Sequence, residues 1–156
     1  PNFGSWELKS ASLKVNRFGQ LQVKETVAIT MLDPVEVMTK EFEESHLYNK
    51  LRKQIIVVRV WENVKETRSI YLGAYPFDLN NPEVLETVHA DYNIIRQTLI
   101  EGRTLSGKLG TYIQPRTKGS GGDKPKTRAF YARTQFVARL INLDELNREY
   151  TLLRNL

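Results

Sequence analysis

The sequence predicts an α/β domain with a mixed β-sheet of about five strands flanked by helices. Two observations favour this class: strand-like segments dominate the first half of the chain, and long helical patterns follow them. No internal repeat is present, and 156 residues suffice for one core but not for two ordinary domains. We therefore expect a single domain over residues 1–156.

The first half of the chain predicts four strands and a helix. Residues 6–15 alternate imperfectly between apolar and polar side chains, as a strand does, and residues 16–20 supply a turn with a glycine. Residues 22–32 are rich in β-branched side chains and predict the returning antiparallel strand, which Asp33-Pro34 would end. Residues 41–53 follow a helical pattern. The apolar residues 55–61 predict a buried central strand, with residues 69–77 as its neighbour.

The second half predicts three helices and a short strand. The clearest helix begins at Asn81-Pro82, a cap followed by a proline in the first turn, and ends at Gly102. A short strand at residues 111–115 follows, and an amphipathic helix around residues 136–141 leads into a second helical stretch that ends at Leu156. Trp6 and Trp61 are expected in the core.

The composition excludes several kinds of site. The chain has no cysteine, so disulfides, thiolate catalysis and cysteine-based zinc sites are excluded. His46 and His89 are the only histidines, and neither has a third ligand at zinc spacing. No apolar run approaches the roughly 20 residues that a membrane helix needs. Because a signal peptide is also absent before Pro1, we expect a cytoplasmic setting.

The net charge of +5 is concentrated in one segment. Residues 103–139 carry nine Lys or Arg side chains against one acid, whereas residues 1–102 carry twelve basic and fourteen acidic side chains. Local positive charge favours a polyanion as the partner, because each neutralised phosphate releases counterions. Residues 116–128 are rich in Gly, Lys and Pro, and we expect them to be mobile until an anion holds them. The alternative interpretation is a solvated basic loop.

The tripeptide Glu7-Leu8-Lys9 has the residue types that phosphodiester hydrolysis requires. Side chains at positions 7 and 9 of a strand project from the same face. The carboxylate and the backbone carbonyl of Leu8 can ligate a hard divalent cation such as Mg²⁺, and the ammonium group can stabilise developing negative charge. An exposed ion pair is the alternative interpretation of an isolated E-x-K. The preceding PNFG strengthens the nuclease hypothesis, because an aspartate in place of Asn2 would supply a second acid.

Four segments occur in a specific order: PNFGSWELK, then SHLYNKLRK before the apolar strand, then GTYIQPRTKG, then RAFY. Together they resemble the motifs of the MutH mismatch-repair endonucleases and the related GATC-cutting type II restriction endonucleases, which belong to the PD-(D/E)xK superfamily. The resemblance extends over nearly the whole chain. It implies a restriction-endonuclease-like fold and a Mg²⁺-dependent hydrolase that cuts double-stranded DNA.

The resemblance also implies the residues of a metal centre. Its catalytic residues would be Asn2, Glu7, Lys9 and Lys50, where Lys50 matches the additional lysine of the family's Ser-His-x-x-x-Lys-Leu motif. The Mg²⁺ ligands would be Asn2, Glu7 and the carbonyl of Leu8. The two lysines would stabilise charge.

A DNA-binding segment is the second implication of the resemblance. Arg116 would read the target, since its fork can donate to O6 and N7 of guanine together. Tyr131 matches the family's tyrosine near the adenine whose methylation is sensed. Lys118, Arg128 and Arg133 would contact phosphates. The target would be a duplex, GATC-containing if the family's specificity holds, and a further partner would be a mismatch-repair protein or a second domain of the same enzyme.

Two features depart from the family pattern. The spacing from position 2 to Glu7 is shorter than in MutH itself, and Asn2 replaces the metal-binding aspartate. The amide keeps the shape but not the charge, so we expect catalysis reduced by several orders of magnitude and DNA binding largely kept. Either a deliberate Asp-to-Asn substitution or natural decay into a catalytically inactive DNA-binding effector domain would explain Asn2, and the retention of Glu7, Lys9 and Lys50 favours the first. Because the chain begins with Pro, we also expect a longer protein from which an N-terminal segment is missing here.

Overall fold

Two β-sheets and five α-helices make up the computed structural model, which describes residues 2–3, 5–61, 69–118 and 127–154. The first sheet contains β1 (Asn2–Phe3), β2 (Trp6–Val15), β3 (Leu21–Val23), β5 (Gln54–Trp61) and β6 (Ser69–Pro76). The second contains β4 (Val27–Leu32), β7 (Ile113–Lys118) and β8 (Thr127–Ala132). The helices are α1 (Pro34–Thr39), α2 (His46–Leu51), α3 (Pro82–Ile100), α4 (Thr134–Leu140) and α5 (Leu143–Arg154). The predicted mixed α/β class is confirmed.

The first sheet is mixed around β2. Strand β2 runs parallel to β5 along one edge, while its other edge pairs antiparallel with β1 near its start and with β3 near its end. Strand β6 then pairs antiparallel with β5. The alternate residues Ile56, Val58 and Val60 of β5 are fully buried, in agreement with the predicted central strand.

The predicted return strand over residues 22–32 is wrong as a single element. Only β3 pairs with β2, whereas β4 leaves the first sheet and pairs with β8 in the second. The polar residues Lys24, Glu25 and Thr26 lie between the two strands. Because the apolar alternation resumes on the far side of this break, periodicity alone does not show that the chain has changed sheets.

Two helical segments also differ from the prediction. Asp33-Pro34 ends β4 as expected, but it also begins α1, since the Asp33 carboxylate accepts hydrogen bonds from the backbone N–H groups of Val35 and Glu36. The single helix predicted over residues 41–53 is divided into a 3-10 turn at Phe42–Glu44 and α2. The division falls at Ser45, whose side chain accepts from Tyr48 N at 3.1 Å and so caps α2.

The three later helices are confirmed. Asn81 caps α3, its side-chain oxygen accepting from the N–H groups of Glu83 and Val84. Helices α4 and α5 follow β8, and α5 lies against β3. There the side-chain amide of Asn147 bonds both backbone groups of Leu21, accepting from its N–H at 2.6 Å and donating to its carbonyl at 3.1 Å.

Three further expectations concern the burial of the tryptophans, the predicted mobile loop and membrane-spanning helices. Trp6 is 39% exposed, so its predicted place in the core is wrong, and Trp61 is half-buried. The glycine-rich part of the predicted mobile loop, residues 119–126, lies outside the described residues, while β7 and β8 order its two ends. Among the described helices, none combines the length and the apolar character that crossing a lipid bilayer demands.

Candidate active site and DNA-binding face

Glu7 lies between two ammonium groups near the start of β2. Lys9 Nζ is 2.9 Å from Glu7 Oε1, and Lys50 Nζ is 3.3 Å from Glu7 Oε2. The structure therefore brings together three of the predicted catalytic residues, although Lys50 is distant in sequence. We call Glu7, Lys9 and Lys50 the carboxylate cluster.

The α2–β5 connection carries Lys50 to this position. Lys50 is in the last turn of α2, and the chain continues through Arg52 and Lys53 directly into β5. Glu7 N donates to Lys53 O at 2.8 Å, which fixes the parallel register of β2 and β5. The serine of the SHLYNKL motif is the cap of this helix, so the motif couples a helix start to a lysine one turn before the strand.

Both lysines keep the Glu7 carboxyl group ionised. The hydrogen bond from Lys9 lowers the pKa of Glu7 most, and the charge of Lys9 together with hydrogen bonds from Lys50 and Gln54 overcomes the opposing effect of burial, so the pKa falls from 4.5 to about 2. The side chain of Glu7 is 26% exposed. A cation approaching from solvent therefore finds a charged carboxylate whose two oxygens both already have positive partners.

Gln54 completes the surroundings of Glu7, and the sequence analysis did not identify it. It is the cross-strand neighbour of Glu7 in the parallel pair, and its side chain is fully buried. Its amide donates to Glu7 Oε2 at 3.2 Å and to the carbonyl of Ile29 in β4 at 2.9 Å. The available signal was a polar residue at the first of the alternate positions of β5, of which the other three are aliphatic.

Position 2 is the antiparallel partner of Glu7. Strands β1 and β2 form a tight hairpin whose register places Asn2 opposite Glu7 and Phe3 opposite Trp6. The Asn2 side chain lies outside the described residues, so the structure places only its backbone. Directly opposite residues of an antiparallel pair have Cβ atoms about 4.5–5.5 Å apart.

The described residues fit a divalent cation poorly as they stand. One carboxylate faces two ammonium groups, which leaves an excess positive charge. Within the described residues, no group of three or more Asp, Glu or His side chains could hold a metal ion. Mg²⁺ prefers hard, anionic oxygen ligands. A second carboxylate at position 2, or phosphate oxygens of a bound nucleic acid, would supply the negative charge that the cluster lacks.

Three of the predicted DNA contacts lie on one face of the β7–β8 ribbon. Arg116 and Lys118 are two residues apart on β7, and Tyr131 is opposite Gln114 on the adjacent strand, so the three side chains share a face. The Arg116 guanidinium carbon is 5.2 Å from the centre of the Tyr131 ring, and its Nη1 donates to Thr26 Oγ1 at 2.7 Å. Arg116, Lys118 and Tyr131 form what we call the β7–β8 face.

Arg128 and Arg133 lie elsewhere. Arg128 is opposite Thr117, on the other side of the ribbon, and Arg133 holds the loop before β7. Its Nε and Nη2 donate to the carbonyls of Gly107, Leu109 and Gly110 at 2.8–3.0 Å. This places Arg133 in contact with protein carbonyls rather than beside the β7–β8 face.

The buried carboxylate of Asp91 holds the same loop from the other side. It accepts three backbone N–H bonds, from Thr111, Tyr112 and Ile113, at 2.7–2.8 Å. Gly110 has φ +84, and a Cβ there would lie 1.8 Å from the Ile113 carbonyl oxygen, so glycine is required. The loop that leads into β7 is therefore fixed on both sides.

Comparison with known proteins accounts for this combination of a carboxylate–lysine strand and a capped lysine helix. The family model described as DNA mismatch repair enzyme MutH matches residues 2–97, more than half of the chain. The chain belongs to the MutH family. A search of the curated proteins found no match.

Membership of the MutH family confirms the family resemblance and makes the chain a relative of DNA endonucleases of the mismatch-repair and restriction type. The match contains β1, β2, α2 and β5, which together carry every member of the carboxylate cluster. It ends within α3, before β7 and β8. DNA is the partner that this MutH-family fold implies, and the assignment of individual base contacts depends on the residue pattern and geometry described above.

Proposed function

We propose that this protein is a Mg²⁺-dependent endonuclease for double-stranded DNA whose catalysis is strongly reduced by Asn2. The observation that carries the proposal is the carboxylate cluster: Glu7 held between Lys9 and Lys50, with position 2 opposite it in the β1–β2 hairpin. A strand that presents one acid and one lysine on the same face, next to a second position for an acid, has the groups that phosphodiester hydrolysis uses.

The roles divide among the residues of this chain. Glu7, the carbonyl of Leu8 and residue 2 would hold the cation, which when bound would provide a metal-activated water and neutralise phosphate charge. Lys9 and Lys50 both pair with Glu7, and each can transfer its hydrogen bonds to a phosphate oxygen that enters the cluster. With asparagine at position 2, the cation loses one of its anionic ligands, and the excess positive charge of the two lysines opposes its binding.

The β7–β8 face is proposed to read the duplex. Arg116 is exposed and its guanidinium group lies over the Tyr131 ring. It can therefore move to a guanine edge without breaking a buried hydrogen bond. Lys118 extends the same face toward phosphates. Arg128 and Arg133 are proposed as further phosphate contacts. Because Nε and Nη2 of Arg133 bond carbonyls of the loop before β7, Arg133 would have to contact phosphate through its other nitrogen. A GATC-containing target is part of the proposal.

The test is restoration of the acid. We expect Asn2→Asp to raise the rate of Mg²⁺-dependent cleavage of a GATC-containing duplex by several orders of magnitude, because a second carboxylate offsets the charge of the cation. Duplex affinity measured in Ca²⁺ should stay nearly the same. The assay uses unmethylated, hemimethylated and fully methylated duplexes, so that it also reports methylation dependence and whether one strand or both are cut.

The double variant Asn2→Asp, Glu7→Gln is the matched control, since it restores one acid while removing the other, and it should not cut. If Asn2→Asp binds duplexes and yet cuts none of them, the result supports a second candidate function. The protein would then be a catalytically inactive DNA-binding effector domain of a larger restriction enzyme. The excess positive charge of the carboxylate cluster in the present sequence is the observation that favours this alternative.

A further inference from the structure

Gln54 breaks the pattern of the strand that carries it. Residues 54, 56, 58 and 60 of β5 are the buried positions, and Ile56, Val58 and Val60 are aliphatic. A buried amide is costly unless its polar atoms are bonded. The Gln54 carbonyl oxygen Oε1 is buried with no hydrogen-bond partner among the described residues. An aliphatic residue would avoid this cost, so packing alone does not account for glutamine.

The amide nitrogen of Gln54 joins two elements of different sheets. Nε2 donates to Glu7 Oε2 in the first sheet and to the Ile29 carbonyl in the second. Both partners are acceptors only, so the NH₂ group must face them and the orientation of the amide is fixed. With two N–H groups and two acceptors, the donor capacity of the amide is filled.

Ile29 is a special position in β4. The β4–β8 register pairs Ala28 with Tyr131 and Thr30 with Phe130, which leaves Ile29 as the extra residue of a β-bulge. Its carbonyl accepts the hydrogen bond from Gln54. The bulge therefore lies next to the residue that pairs with Tyr131 of the β7–β8 face.

We propose that Gln54 is a positioning residue that ties the Glu7 carboxylate to the β4 bulge, so that a displacement of the second sheet on DNA changes the position of the carboxylate. The inference rests on the proposed function. Gln54 would link the β7–β8 face, which is proposed to read bases, to Glu7, which is proposed to hold the cation. The link consists of two hydrogen bonds from one buried amide, to Glu7 and to Ile29.

The first part of the test needs neither metal nor DNA. The Glu7 carboxyl carbon is titrated by NMR in the unsubstituted protein, in Gln54→Met, which has similar length and no donor, and in Gln54→Glu, which keeps the shape. We expect the Glu7 pKa to rise by about half to one pH unit in Gln54→Met, because a hydrogen bond to the charged form is lost. It should rise further in Gln54→Glu, where a second carboxyl group faces Glu7.

Thr98→Val is the control for loss of a buried polar group, since Thr98 is buried in α3 and its hydroxyl donates to the Ile94 carbonyl of the same helix. It should leave the Glu7 titration unchanged. Backbone spectra of β7 and β8 verify that each variant is folded. An unchanged Glu7 titration in folded Gln54→Met overturns the proposal, whatever Gln54→Glu shows, because a carboxyl group at position 54 shifts the Glu7 pKa by its charge alone.

The second part compares a GATC-containing duplex with a scrambled duplex of the same length and composition. The two carry equal phosphate charge, so a difference between their effects on the Glu7 resonance reports recognition and not the electrostatic field. We expect such a difference in the unsubstituted protein and its loss in Gln54→Met, with duplex affinity within about twofold. A difference that persists in Gln54→Met overturns the link. If neither duplex binds, the proposed function fails, and the DNA-free titration decides the role of Gln54 alone.

Discussion

At the scale of single residues, the ionisation of Glu7 determines what the carboxylate cluster can do. Two lysines keep the group charged, yet they also occupy the oxygens that a cation would need. Under the proposed function, a divalent ion that binds here would have to replace these ammonium groups. A second acid at position 2 would favour that replacement, and an amide would not.

The same ionisation makes stability depend on pH. The pKa of Glu7 in the folded protein is about 2, below its ordinary value of 4.5, so its contribution is fully present above pH 4.5 and is lost as the pH falls toward 2. We expect Glu7→Gln to reduce the difference in free energy of unfolding between pH 6 and pH 3 by about 1–2 kcal/mol, a value discounted for partial exposure of the ion pairs. Urea titrations at the two pH values measure it.

Glu86→Gln, on the exposed side of α3, removes one negative charge without touching the cluster and serves as the control. Equal pH dependence in Glu7→Gln and in the unsubstituted protein would show that the lysines do not stabilise the folded state through Glu7.

At the scale of elements, side chains from two helical segments of the fold hold the loop before β7 in place. Asp91 satisfies three of its N–H groups and Arg133 three of its carbonyls. These bonds set where β7 begins and therefore the register of Arg116. If Arg116 reads a groove, as proposed, a rigid start to β7 makes its position more accurate.

We expect Asp91→Ala to lower the free energy of unfolding by about 3 kcal/mol, because three backbone N–H groups lose a charged acceptor, Ile113 N in the interior among them. Asp91→Asn keeps one acceptor oxygen and should lose less. Chemical denaturation measures both. The control is Thr87→Ala in α3, where the half-buried side chain bonds the Glu83 carbonyl of its own helix, and it is expected within about 0.5 kcal/mol of the unsubstituted protein. A loss below 1 kcal/mol in Asp91→Ala would contradict the assigned role of the loop.

The elements that sequence patterns predict well are those whose signals are local. Asn81-Pro82 fixes the start of α3, and the aliphatic alternation of β5 identifies the central strand. The separation of β3 from β4 was not predictable in this way, because the choice of sheet depends on the distant strand β8. Likewise Ser45 signals a helix cap only once the 3-10 turn before it is known.

The residues of the candidate site also differ in whether local sequence signals could predict them. Glu7 and Lys9 are two residues apart, so their proximity follows from strand geometry, and Lys50 came from the family motif. Gln54 could not be assigned, since its contact with Glu7 arises from a parallel register that no local pattern specifies. The sequence analysis assigned Arg133 to phosphate, but its hydrogen bonds to the loop before β7 could not be predicted, because they depend on a loop conformation that Asp91 also holds.

At the scale of the whole molecule, charge is distributed unequally. The segment 103–139, which has the excess of basic side chains, contains β7 and β8, whereas residues 1–102 carry twelve basic and fourteen acidic side chains. If the proposed β7–β8 face binds a duplex, this local excess of positive charge attracts the duplex to that segment of the chain.

This asymmetry predicts a local salt effect. We expect Lys118→Ala to reduce the slope of log affinity against log salt concentration by about 1 for a duplex, because one phosphate contact is lost. Fluorescence anisotropy at several salt concentrations measures the slope. Lys14→Ala, on β2 outside the basic segment, is the charge-matched control and should change the slope little. Similar changes in both variants would mean that the duplex senses only total charge.

The contact between Asn147 and Leu21 has a consequence for how this protein behaves at high concentration. A strand at the border of a sheet offers unused N–H and C=O groups on which another chain can build. Here one side-chain amide from α5 occupies both of these groups on Leu21, at the point where the short strand β3 begins. Helix α5 thus blocks this edge of β3. A protein that lost α5 would expose backbone groups on which intermolecular sheets could grow.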